Sequence, residues 1–98
     1  MIIKEIEELI TKSEKPITKS IAKTNAYNLI GIGLKNGVEL KEHITTIPAK
    51  LIVIKGTIQY KTADQIITLH QYESHDIPIN EKHAVIAIEN SLCFLLKG

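Results

Sequence analysis

The chain has 98 residues, 44% of them hydrophobic and 23% charged, with three prolines and five glycines. This is the composition of one ordinary globular domain, and it excludes a disordered segment and a second independent core. Its 12 basic residues are all lysine and face 11 acidic ones for a net charge of +1, so both the bidentate arginines and the concentrated basic face of a nucleic-acid binder are missing.

Residues 2 to 13 set Ile2, Ile3, Ile6, Leu9 and Ile10 at helical spacing, with Lys4, Glu5, Glu7 and Glu8 between them. That pattern predicts a short amphipathic helix docked on the outside of another element. Ser13, Glu14, Lys15 and Pro16 end it, since the residue before a proline is pushed out of helical space and proline has no amide donor. From there the period becomes two. Residues 17 to 35 read as strands, with Asn28, Ile30, Ile32 and Leu34 on one face and Leu29, Gly31 and Gly33 on the other. A turn at Lys35-Asn36-Gly37 leads to an alternating stretch from Val38 to Thr46, then Pro48 and the apolar run Leu51-Ile52-Val53-Ile54 before Gly56. Thr57 to Tyr60 and Gln65 to Leu69 form a hairpin pattern, followed by strands over Glu73 to Ile79, His83 to Ile88 and Leu92 to Leu96. About eight short strands and one terminal helix predict an all-β antiparallel sandwich or barrel. The domain reading is an N-terminal helix over 1–15 and a β domain over 16–98. The acidic N-terminal stretch has no small-residue cleavage site, and no apolar run approaches the roughly 20 residues that cross a bilayer, so neither a signal peptide nor a membrane anchor is expected. Cys93 is the only cysteine; an internal disulfide is ruled out and a reducing, cytoplasmic setting is expected.

From Gly37 onward the spacing itself is informative. Gly37, His43, Thr45, Ala49 and Gly56 stand on the frame G-x5-H-x-H-x3,4-E-x6-G, and Tyr72, Pro78, Asn80, His83 and Ala87 on the frame G-x5-P-x-G-x2-H-x3-N. These frames are the two motifs of the cupin family, which the chain resembles over about two thirds of its length. Gly37, His43, Gly56, Pro78 and His83 match. Thr45 stands for the second histidine and Ala49 for the glutamate, while Tyr72, Asn80 and Ala87 replace a glycine, a glycine and an asparagine. Asparagine tolerates positive φ, so the turn between Pro78 and His83 is expected to survive.

The resemblance implies a small antiparallel β-barrel or jelly-roll sandwich whose motif histidines point into the mouth and hold a divalent metal. Family sites resemble three histidines and one carboxylate, a set suited to iron, manganese, nickel, copper or zinc. Here His43 and His83 alone are left as ligands, which implies a degenerate site and, at most, a weakly held divalent transition metal. His75 shares strand parity with Ile77 and reaches the pocket if Ile77 points inward. With Thr45 and Tyr60 these three histidines form the expected ligand pocket; Tyr27 and Gln59 are further candidates, and His70, in a turn, is expected to face solvent. The alternative for His43 and His83 is a pair of strand-end histidines hydrogen-bonded to backbone or water. Cys93 lies in the apolar stretch Ser91-Leu92-Cys93-Phe94-Leu95-Leu96 and reads as a buried, inert thiol.

If the frame holds, Ala49, Leu51 and Val53 point inward and Ile52 and Ile54 outward, and the last strand is apolar on both faces through Leu92 and Phe94. Ile52, Ile54, Leu92 and Phe94 are therefore the expected interface of a homodimer, the alternative being that the N-terminal helix covers them through Ile3, Ile6 and Ile10. Three functions fit these residues: a small-molecule-binding cupin with a degenerate metal site, a metal-dependent cupin enzyme (oxygenase, isomerase or epimerase) using His43 and His83, and a structural or protein-interaction module with a filled pocket. No nucleophile is specified.

Overall fold

In the computed structural model, which describes residues 1–98, the change of period at Pro16 separates one helix from nine strands. The helix α1 (Ile2–Ile10) precedes β1 (Ile17–Lys23), β2 (Asn28–Leu34), β3 (Glu39–His43), β4 (Ala49–Lys55), β5 (Ile58–Lys61), β6 (Ile66–Leu69), β7 (Ser74–Ile77), β8 (His83–Ala87) and β9 (Ser91–Lys97). The all-β reading holds. Nine strands meet the expectation of about eight, and the strands read over residues 17–35 are the hairpin β1–β2, turned where the Thr24 hydroxyl accepts the amides of Ala26 and Tyr27. No helix is long and apolar enough to cross a membrane.

The strands form two antiparallel sheets, ordered β1-β2-β9-β4-β7 and β3-β8-β5-β6. Their inner faces enclose one cluster of 14 buried apolar residues, including Ile32, Leu34, Leu51, Val53, Ile58, Tyr60, Val85, Cys93 and Leu95. Strand parity accounts for the membership, since alternate residues of β2, β4 and β9 enter the core and their neighbours face outward. Cys93 is 1% exposed and burial pushes its thiol up to about 12, so it stays protonated and inert as expected.

The outward residues of β2 explain where α1 sits. A Cβ on Gly31 would stand 2.6 Å from Ile6 Cδ1, and one on Gly33 would stand 2.7 Å from Ile6 Cγ2 and 2.8 Å from Ile10 Cγ1. The missing side chains make a seat in which Ile6 and Ile10 are buried together with Leu92, against Ile3, Ile17, Ile54 and Phe94. Each of these two isoleucines contributes about 1.5–3 kcal/mol by burial. The helix ends at Ile10, short of residue 13, and no residue from 11 to 16 joins the apolar cluster that seats it. Of the four outward residues expected at a dimer interface, Leu92 is buried under α1 and Ile54 and Phe94 pack against the same cluster; Ile52 lies outside it.

The turns bear on the motif frame. Apart from Gly98, positive φ occurs only at Gly37 (86°), Gly56 (92°), Tyr72 (68°) and Asn80 (65°). These are the four glycine positions of the two frames, so the backbone keeps the turns even where the glycine has gone.

Candidate functional site

β3 and β8 are neighbours in the four-stranded sheet, with Leu40 opposite Val85 and His43 opposite His83. Three residues of β3 thus span what two of β8 span, and this bulge turns His43, rather than Glu42, onto the inner face beside His83. On the other side of β8, Tyr60 is opposite Val85. From the facing sheet comes His75 of β7, opposite Leu51 of β4.

The side chains converge into a chain of rings. His43 and His83 lie 4.2 Å apart between ring centroids, Tyr60 and His83 are nearly parallel at 5.2 Å, and Tyr60 and His75 meet at 4.4 Å. Tyr60 is fully buried and His83 is 1% exposed, whereas His43 and His75 are half-buried. Four of the five expected pocket residues are therefore brought into mutual ring contact. The fifth, Thr45, is buried in the loop after β3, where its carbonyl accepts the Asn80 amide at 2.8 Å and ties the two motif segments together. Its hydroxyl has no hydrogen-bond partner. His70 is exposed.

Hydrogen bonds fix how the imidazoles present themselves. His43 Nδ1 lies 2.8 Å from the Lys41 carbonyl and His83 Nδ1 lies 3.0 Å from the Glu81 carbonyl. A carbonyl only accepts, so both Nδ1 atoms carry the proton, and in the neutral rings both Nε2 atoms keep a free lone pair. Backbone bonding of these two histidines, one of the two alternatives left by the sequence, is thus present without consuming Nε2. Burial lowers the pKa of His83, and the nearby His43 and His75 act in the same direction against the Glu81 carbonyl and carboxylate. The Tyr60 hydroxyl donates to Glu81 Oε1 at 2.8 Å; burial first, then this carboxylate, push the phenol above its ordinary range.

These residues do not reproduce the metal-holding set that the fold implies. No three His, Cys, Asp or Glu side chains come together to hold an ion. Ala49, at the glutamate position, has no donor, and Thr45 offers a neutral hydroxyl where the second imidazole would stand.

No cavity is lined by His43, Thr45, Tyr60, His75 or His83; their own side chains fill that end of the interior. The inner faces open instead at the β1 side, in a cavity of about 300 Å³ floored by Ile30, Ile32, Leu40 and Leu95 and rimmed by Thr18, Ser20, Asn28, Lys19 and Lys97. Sequence reasoning missed this cavity and Glu81. Lys97 was within reach, since it shares parity with Cys93 and Leu95 on the last strand; Glu81 sits in an irregular loop where no periodicity assigns a direction.

No protein-family model and no curated protein sequence matches the chain. Solved structures do. An RmlC-like cupin from Desulfovibrio desulfuricans superposes with a TM-score of 0.80 at 17% identity, covering 87% of this chain and 83% of that one. A cupin-2 domain containing protein from Shewanella frigidimarina gives 0.73 at 27% identity, over 82% and 78%. A conserved protein of unknown function from Streptococcus pyogenes gives 0.78 at 14% identity, over 87% and 75%. Two facing antiparallel sheets with one short helix agree with these likenesses, and the chain is a small cupin-fold protein with degenerate motifs.

Proposed function

We propose that the chain is a small-molecule-binding cupin that holds its ligand without a resident metal. The observation that carries this reading is the open cavity of about 300 Å³ over the apolar floor of Ile30, Ile32, Leu40 and Leu95; at the filled end of the same interior His43 and His83 keep Nε2 lone pairs, held free by the Nδ1 bonds to the Lys41 and Glu81 carbonyls. A neutral imidazole accepts a hydrogen bond or a proton near neutral pH, so the pair can receive a donor group of a ligand. The unpartnered Thr45 hydroxyl adds a third polar group with unused capacity. Beside them, Leu40 on the same face of β3 floors the open cavity.

The structural-module reading draws support from the ring packing, which leaves no cavity among the four rings. An NMR screen with small neutral, cationic and anionic compounds separates the two. Saturable shifts at the imidazoles or at inner-face methyl groups favour the binding protein. A silent inner face across the whole screen assigns the chain to the module.

The homodimer belongs to the same proposal, in a narrower form. Ile52 and Phe94 are register partners on the outer face, both half-buried, and Leu96 beside them is 38% exposed, so a second copy would cover this strip beyond α1. Light scattering on wild type and Ile52→Lys tests it: a dimer converted to monomer supports the strip, and a wild-type monomer discards it.

A further inference from the structure

We infer that the open cavity takes a small organic anion, a carboxylate carried on a short apolar body, with Lys97 as its counter-charge. The inference rests on the small-molecule reading above and adds the ligand's chemical class and its seat. At about 30 Å³ for each water-sized group, the cavity of about 300 Å³ has room for about ten non-hydrogen atoms. Its floor of Ile30, Ile32, Leu40 and Leu95 is wholly apolar, which suits a hydrocarbon body. Its rim is polar, and Lys97 is its charged residue of inward parity, Lys19 lying on the outward parity opposite Gly31. No acidic side chain lines it. Lys19 is engaged at 3.8 Å by Glu5 of the helix, whereas Lys97 makes no ion pair at all. Lys97 stands opposite Asn28 on β2 and the buried Ala49 on β4, on the inward parity of β9. Ser20 donates to Asn28 Oδ1 at 3.0 Å, which leaves the Asn28 amide group as a donor beside the ammonium. An unpaired cation and an amide donor above an apolar floor form a charge-assisted seat for a carboxylate head.

The test titrates the full chain with hexanoate, hexan-1-ol and hexylammonium, following the methyl groups of Ile30, Ile32, Leu40 and Leu95 by NMR. Hexanoate is expected to saturate these shifts at millimolar concentration and to bind about tenfold tighter than either competitor, with weakening as salt is raised. Lys97→Gln is expected to erase the preference, and Lys97→Arg to retain it. The Lys97 side chain lies at a half-exposed rim, so both variants are expected to fold, and the methyl spectrum itself reports folding. Hexan-1-ol binding as tightly as hexanoate overturns the anion while leaving the small-molecule reading in place. Silence of all three probes at these methyls overturns the seat, and the broader screen then decides the reading itself.

Discussion

One transverse row on the inner face of the five-stranded sheet runs Ser20, Ile30, Leu95, Leu51, His75, and its two ends are finished in opposite ways. At the His75 end the facing sheet supplies Tyr60, His83 and His43, whose rings pack into one another and leave no cavity. At the Ser20 end the edge strand β1 has its inner residues Thr18 and Ser20 exposed, and the interior opens. Five strands on one side face four on the other, so one end of the longer sheet lacks a cover. The lesson is that one interior can be filled by side chains at one end and stay open at the other.

The sharpest way to break this contrast is to cut each end and compare. Tyr60→Ala, at a fully buried ring, should lower the unfolding free energy in urea by about 3–5 kcal/mol. Leu40→Ala, half-buried at the open end, should lower it by about 1–2 kcal/mol; equal losses would erase the difference between the ends.

The pH response of the filled end comes next. Burial holds the His83 pKa below 6.5, helped by His43 and His75 and opposed by the Glu81 carbonyl and carboxylate. The unfolded chain therefore binds a proton that the folded chain refuses. Stability is full above the unfolded value and falls as pH drops through 6.5 toward the folded value. Denaturation midpoints from about pH 8 to about pH 5 should decline more steeply in wild type than in His83→Gln, and parallel curves would show that His83 titrates freely.

Smaller effects sharpen the picture. Thr45→Val removes a buried hydroxyl that has no partner and should stabilise the ligand-free chain by about 1 kcal/mol; a loss of that size would reveal a bound water or ligand at the imidazole end. Tyr72→Gly, at an exposed residue with φ of 68° far from both ends, should stabilise by about 0.5–1 kcal/mol in thermal unfolding, the left-handed strain less the entropy of glycine. A destabilised Tyr72→Gly would mean that the side chain makes contacts outweighing that strain.

Much of the architecture was legible because it depends on period and spacing. The helix, the strand faces of β2, β4 and β9 and the turns at Gly37 and Gly56 follow from alternation and glycine placement, while the turn positions Tyr72 and Asn80 come from the resemblance to the second motif frame. Convergence of His43, His75, His83 and Tyr60 was legible through the motif frame and strand parity, but its consequence was not. Parity states direction; it does not state whether facing rings leave room or fill it. The bulge that turns His43 inward has no marker in the residues 40–43. The open end depends on which strands lie at the sheet edges, a long-range property that a local pattern does not contain. Ile52, Ile54, Leu92 and Phe94 were placed on the outer face, yet the share of that face taken by α1 hinges on Gly31 and Gly33 acting as a seat rather than as ordinary strand residues.

The central claim is that the paired histidines hold no resident metal, and elemental mass spectrometry tests it most directly. The protein would be purified without an affinity tag or added chelator, beside a His43→Ala/His83→Ala variant. The account predicts transition metal far below one per chain in both, with no difference between them. One metal per chain in the wild type, lost in the double variant, would contradict it.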